Sequence, residues 1–523
     1  MGGVGGGSAR WQSVRPPHTD PPPAPPFQGG EQLPNINRIA SIMRVLSVAS
    51  EAYPIIKTGG LADVVGALPA ALAPHGVALT TFLPGYPALA AVTKRAKVVH
   101  RYADLLGTEA RILKAKIGDH PLLVLDAPAL FARGGGPYGD ATGADWSDNW
   151  RRFAAFSRAA ADLASGVVPG YEFDILHAHD WQAAMAPAYL RYAPDPAKPA
   201  RTVVTIHNIA FQGRYGYDIF ADLALPDIAF ALDGVEYYGG VGYLKAGLEA
   251  ADAITTVSPT YAAEIRRAEF GMGLEGLIND RASRVTGIVN GIDPAVWNPE
   301  TDAALPARYT ARTLARRRTN KRAIETLFGL DTEDGPLFTV VSRLTGQKGM
   351  DMLAGALDEL VALGGRLALL GSGDADLERA FLAAAERHPG RIGVRIGYDE
   401  PVSHLLQGGA DAILIPSRFE PCGLTQLYGL AYGCIPVVAR TGGLADTVID
   451  ANEAAIAAGV ATGVQHDGVT PEALSHALRR TLALYARPDR WAMLQRNAMR
   501  ADFSWDESGR RYADLYAKLL EPA

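Results

Sequence analysis

Residues 44–72 read RVLSVASEAYPIIKTGGLADVVGALPAAL, and the order of residue types in this stretch decides the fold. A β-branched apolar run (44–50) leads into a polar loop with two adjacent glycines. An Ala/Leu-rich segment of helical spacing follows and ends near Pro74. Strand, glycine turn and helix in that order make one unit of a parallel α/β sheet.

The same alternation continues along the chain. Apolar strand runs are expected at 78–83, 121–125, 173–177, 202–206, 253–257 and 285–289, each followed by a helical stretch. After the basic segment RTLARRRTNKR (312–322) the series restarts, with strands at 337–342, 366–370, 391–396, 411–415 and 435–439. Consecutive apolar positions, unlike strict alternation, indicate strands buried on both faces. Two such series predict two doubly wound domains, which the length of 523 residues also requires. The Arg316–Arg318 run reads as a solvated helix face. The stretch 503–520 reads as a final helix capped by Ser504 and packed through its aromatic residues.

Bulk properties narrow the function. A net charge of −6 argues against a nucleic-acid surface. No uncharged apolar stretch is long enough to span a membrane. The two cysteines, Cys422 and Cys434, fit neither a disulfide framework nor a zinc spacing, which points to a reducing, cytoplasmic compartment. Residues 1–42, rich in Pro and Gly, lack the apolar residues to form a core and are expected to be disordered. Met43, at the foot of the first strand, is as good a start as Met1.

Unusual polar residues cluster after the strands, where open parallel sheets bind ligands. They include Glu51, Lys57, Asp180, His207, Asn208 and Asn290 in the first half, and Arg343, Lys348, Tyr398 and Glu420 in the second. The phrase TGGLAD occurs twice, at 58–63 and 441–446, after Lys57 and Arg440 respectively. Glycines there make either a plain tight turn or an anion site. In the second case helix N–H groups lie bare beside a cation. Arg343 and Lys348 read as a solvated loop or as a clamp on two phosphates. His177-Ala-His179-Asp180 does not match a zinc motif, and a contact with substrate hydroxyls suits it better. GSGD (371–374) falls short of a dinucleotide fingerprint but leaves a nucleotide contact open. Glu420 stands just before a helix expected to begin near Gly423. The dipole favours it there, and contact with sugar hydroxyls is the sharper reading.

Taken in order, SEAYPIIKTGGLADVVGALP, HAHDWQA, TIHNIAFQG, VNGID, SRLTGQKG, PSRFEPCGLTQLYG and RTGGLADTV resemble the bacterial glycogen synthase and plant starch synthase family over 43–520. The resemblance implies a GT-B architecture, two Rossmann-like doubly wound parallel-sheet domains facing a central cleft. Residues 43–295 would form the acceptor side and 296–490 the donor side, with 491–523 crossing back as a helical segment. The implied reaction moves glucose from ADP-glucose to the non-reducing end of an α-1,4-glucan such as glycogen, with retention and without a metal or other cofactor.

By motif, Arg343 and Lys348 would neutralise the diphosphate from one side, and Lys57 with the Gly59 and Gly60 amides from the other. Tyr398 would stack on adenine, Glu420 would hold the glucosyl hydroxyls, and Gly423, Leu424 and Thr425 would offer backbone amides. His207 would lie near the transferred glucose and Asp180 near the reacting centre. The implied substrate set also includes Glu51, Asp63, Tyr138, Asn208, Asn290, Gly373, Cys422, Thr441 and Gly442. Related families carry a second Glu eight residues after the first; Tyr428 stands there, as it does in starch and glycogen synthases. A UDP-glucose enzyme with a non-glucan acceptor and an inactive glucan-binding protein are the alternatives.

Overall fold

The structure is a computed structural model of the chain and describes residues 42–193 and 200–522. The expected disorder of residues 1–42 falls almost wholly outside the described residues. Strands of the first half are β1 (Met43–Val48), β2 (Val77–Pro84), β3 (Lys97–Tyr102), β4 (Ala110–Ile117), β5 (His120–Asp126), β6 (Ile175–His179) and β7 (Arg201–Ile206). A small antiparallel sheet, β8 (Arg214–Tyr215), β9 (Glu236–Tyr237) and β10 (Gly240–Gly242), intervenes before β11 (Ala253–Thr256) and β12 (Val285–Gly287). The second half supplies β13 (Leu337–Leu344), β14 (Arg366–Gly373), β15 (Ile392–Ile396), β16 (Ala412–Ile415), β17 (Ile435–Ala439) and β18 (Val464–His466).

The first sheet runs β12-β11-β7-β6-β1-β2-β5-β4-β3, and the second β15-β14-β13-β16-β17-β18. All pairs in the second sheet are parallel. In the first, only the β3–β4 and β4–β5 pairs are antiparallel, so β4 alone runs against the rest. Chain order reverses between β1 and β6 in the first sheet and between β13 and β16 in the second. Such switch points open a crevice at the carboxyl ends of the strands. The loops after β1, β6, β13 and β16 carry Glu51 and Lys57, Asp180, Lys348 and Glu420.

All twelve strand runs expected from the sequence form strands. The unforeseen β3 and β4 are an edge extension: β4, ARILKAKI, alternates apolar and charged residues, so only one of its faces is buried. Arg317 departs from the reading of its run as a solvated face. It is buried and donates to the Tyr309 hydroxyl at 2.6 Å and to carbonyls of Gln407, Tyr432 and Ala410, so its charge serves backbone acceptors.

Helix Pro488–Arg500 keeps Trp491, Leu494 and Ala498 in the core of the second sheet. The chain crosses back only after Arg500, ten residues beyond the division placed at 491. The last helix, Trp505–Leu520, buries Tyr512 and Tyr516 against Val64 and Leu68 of helix Gly60–Leu72. Its N-terminus takes no side-chain cap from Ser504, contrary to the sequence reading. Instead the Ser504 N–H donates to Asp502, and Ser508 anchors the first turn to the Val289 carbonyl at 2.6 Å. Among the described residues no helix is long and apolar enough to cross a membrane.

Candidate active site

Helix Gly60–Leu72 begins at the end of the Lys57 loop with no side chain capping it. A Cβ on Gly59 would meet nothing within 4 Å, and one on Gly60 only Leu424 of the second sheet's unit, at 3.8 Å. Glycine is therefore not demanded here by the protein's own packing. Glu51 holds the loop by accepting from the Thr58 N–H, from its hydroxyl at 2.6 Å, and from the Tyr138 hydroxyl. Lys57 pairs with Asp63 at 2.8 Å and lies over the Tyr53 ring. Burial pushes the Asp63 carboxyl up against the pull of Lys57, and the charge of Glu400, from the second unit, adds to the rise.

Asp180 follows β6 in a left-handed conformation with φ 55°. Its Oδ1 accepts from the His207 N–H at 2.7 Å and the Asn208 N–H at 3.4 Å, so it shapes the loop after β7. Burial pushes this carboxyl up to about 7. His207 is backed by a row of buried imidazoles. Its Nε2 meets His179 Nδ1 at 3.0 Å, and the His179 ring packs on His177, which bonds Thr205 and Tyr516. Burial holds His177 and His207 down at about 3 and His179 well below the usual range, so all three are neutral at ordinary pH. His177 and His179 are thus strand residues inside the core, not loop contacts for a substrate. Asn290 is buried after β12, and its Oδ1 has no partner.

On the second unit, Lys348 and Glu420 pair at 2.5 Å, and Ser417 donates to the same carboxylate oxygen at 2.9 Å. These three line a small cavity with Gly423, Leu424 and Thr425. The following helix is Thr425–Tyr432, starting two residues later than expected because Gly423 sits at φ 72°. It too lacks a side-chain cap. Arg343 is exposed near the end of β13, and Tyr398 is exposed after β15, its hydroxyl on Glu400 at 3.1 Å. Tyr428 stacks on Trp297 at 3.6 Å, and Trp297 on His404 at 3.9 Å.

Four expected contacts turn out otherwise. The Thr441 hydroxyl and Gly442 N–H are taken by Glu264 of the first unit, so this second glycine turn offers no free anion site. Arg440 pairs with the exposed Asp467. Gly373 is glycine because a Cβ would come 2.3 Å from the Leu344 carbonyl, and its N–H already donates to Glu378 at 2.8 Å. Cys422, also in the implied set, is buried among core residues of the first unit, and burial pushes its thiol up to about 12, in keeping with a packing role. Sequence reasoning passed over Thr58, Ser258, Thr260 and Glu264. Thr58 bonds Glu51 within its own loop, and the cross-unit partners of Ser258, Thr260 and Glu264 are set only by tertiary packing.

Two Rossmann-like units, with a cation and an uncapped helix start at the switch point of each, make up this site. Residues 44–280 match the starch synthase catalytic domain family, and residues 327–497 match glycosyl transferases group 1. The chain is 66% identical to the glycogen synthase of Novosphingobium aromaticivorans, covering 91% of this chain and 99% of that protein. It is 62% identical to that of Mesorhizobium japonicum over the same shares. The catalytic domain of starch synthase IV from Arabidopsis thaliana, solved bound to ADP and acarbose, superposes with a TM-score of 0.83. Its identity is 32%, over 92% of this chain and 99% of that one. The chain belongs to the glycogen synthase family. It is a hexosyltransferase that extends a glucan from a nucleotide-sugar donor.

Proposed function

We propose that the donor is ADP-glucose, that transfer goes to the non-reducing 4-OH of an α-1,4-glucan such as glycogen with retention, and that the protein acts in the cytoplasm. The observation that carries this reading is the uncapped, sterically open start of helix Gly60–Leu72 beside Lys57, set against the Lys348–Glu420 pair. A diphosphate fits between two helix starts and their cations. ADP, the nucleotide bound to the starch synthase IV domain, supports adenine as the base.

In this reading residues 43–295 form the acceptor side, and the donor side runs from 296 to the end of helix Pro488–Arg500. Lys57, Arg343 and Lys348, with amides at Gly59–Gly60 and Gly423–Thr425, take up the negative charge that grows on the leaving diphosphate. Groups aimed at charge that develops late lower the barrier more than they stabilise bound donor. Donor binding draws Lys348 towards phosphate and frees Glu420 for the glucosyl hydroxyls. Neutral His207 hydrogen-bonds the sugar without adding charge. Exposed Tyr398 is free to stack on the base, and the unpartnered Asn290 Oδ1 is satisfied by substrate.

Retention usually needs a carboxylate nucleophile. In the donor complex Glu420 is taken by the glucosyl hydroxyls and Ser417, and Asp180 is held by two backbone amides. We therefore assign front-face attack, in which the leaving phosphate accepts the acceptor proton as the new glycosidic bond forms. Trapping a glucosyl adduct on either carboxylate would contradict that assignment.

The deciding experiment measures ADP released from ADP-glucose with and without glycogen, beside UDP-glucose. Glycogen-dependent ADP release that survives EDTA is expected. Faster turnover of UDP-glucose, or loss of activity with EDTA, overturns the donor or the metal-free reading respectively.

A further inference from the structure

Two short helices meet where the units touch, and each presents a carboxylate to the other's N-terminus. Helix Pro259–Glu264 belongs to the first unit and helix Gly442–Thr447 to the second. Glu264 accepts from the Gly442 N–H with both oxygens, at 3.0 and 3.2 Å, and from the Thr441 hydroxyl at 3.1 Å. In return Asp446 accepts from the Thr260 N–H at 2.8 Å and the Thr260 hydroxyl at 2.6 Å. Ser258 adds a third link, its hydroxyl donating to the Pro421 carbonyl at 2.7 Å. A carboxylate on unpaired helix N–H groups is favoured by dipole and by charge-assisted hydrogen bonding together. Two such contacts in opposite senses resist sliding in either direction.

Both ends of this clasp lead to the cleft. In the second unit, the Gly443 N–H donates to the carbonyls of Glu420 and Pro421 at 3.1 Å each. A Cβ on Gly442 would stand 1.9 Å from the Glu420 carbonyl oxygen, so that helix start lies directly on the Glu420 backbone. In the first unit, Tyr261 of helix Pro259–Glu264 accepts from the Ile209 N–H at 3.1 Å, two residues beyond His207. A continuous run of contacts thus joins the Glu420 loop to the His207 loop from behind.

We propose that Glu264, Asp446 and Ser258 are positioning residues that set the register between Glu420 and His207 across the assembled cleft. They touch no substrate; they decide where the sugar-binding carboxylate stands relative to the opposite wall. The inference rests on the reading of Glu420 and His207 as sugar contacts.

The test compares Glu264→Ala, Glu264→Gln, Asp446→Ala and Glu264→Ala/Asp446→Ala with the parent enzyme, and includes His207→Ala and Glu420→Ala as references. Since misplacing a reacting group by about 1 Å costs ~10²-fold, Glu264→Ala is expected to lower kcat by roughly that factor with donor KM changed by less than about threefold. Glu264→Gln keeps an oxygen for the Gly442 N–H and should recover most of the loss. The double variant should lose less than the product of the single losses, because both open one interface. A merely structural role would lower the melting temperature and leave kcat of the folded enzyme unmoved. A folded Glu264→Ala enzyme with parental kcat overturns the proposal. If that variant does not fold, parental kcat in both Ser258→Ala and Asp446→Asn overturns it instead. Should His207→Ala and Glu420→Ala themselves turn over normally, the reading of the site fails before that of the clasp.

Discussion

In the first TGGLAD segment Asp63 turns back to Lys57 in its own loop, at 2.8 Å; in the second, Asp446 at the matching place leaves its unit for Thr260. The glycines differ in the same way. Those at 59 and 60 face open space, whereas those at 442 and 443 are pressed on the backbone of Glu420 and Cys422. The first segment starts a helix of 13 residues with nothing over its N-terminus, and the second a helix of 6 residues whose N-terminus Glu264 covers. Identical letters give an open anion cradle in one unit and a joint between units in the other. A strand–glycine–helix turn supplies bare amides, and the surroundings decide what fills them.

Turnover breaks the comparison most sharply. Lys57→Ala should lower the initial rate of ADP release ~10²-fold or more, on the scale of one lost electrostatic stabiliser. Arg440→Ala, which loses only a surface pair with Asp467, should change it little. Equal defects would refute the assigned difference.

Glycine replacement comes next. Gly442→Ala places a Cβ against the Glu420 carbonyl at φ 43°, and urea unfolding should show a loss of about 3 kcal/mol. Gly60→Ala should leave stability unchanged or raise it by up to about 1 kcal/mol, yet slow transfer roughly tenfold because the new methyl occupies the diphosphate's approach. A stable Gly442→Ala enzyme would remove the contrast.

The last test concerns Asp180, in the same unit as the first segment. Burial raises its folded-state pKa from the ordinary 3.8 to about 7, so the folded chain holds a proton that the unfolded chain releases. That contribution to stability is complete below about pH 4 and is lost as pH rises to about 7. Asp180→Asn keeps an oxygen for the His207 N–H and carries no charge. Its stability relative to the parent should therefore climb between about pH 4 and 7 in thermal unfolding and level off above, and a flat difference would refute the buried charge.

The parallel strands and the loops that bear Lys57, His207, Lys348 and Glu420 were legible because two-sided burial writes continuous apolar runs, and polar residues after them stand out. β3 and β4 were not, since a strand buried on one face shows only weak alternation. Arg317 looked solvated among its arginines because nothing local announces the carbonyls of Gln407, Ala410 and Tyr432 that surround it. The histidines of HAHDW looked like contacts because sequence does not say which strand residues face inward in a sheet buried on both sides.

By itself the sequence determined two βα series, the switch-point loops and the family to which the motifs belong, all of which depend on local spacing and on hydrophobic burial along each strand. Only the tertiary structure decided which glycine turn stays open and which is closed by Glu264, because that depends on residues 178 positions apart meeting across two units. Hydrogen bonds and ion pairs act over a few ångströms in space, and spacing along the chain carries no record of that distance.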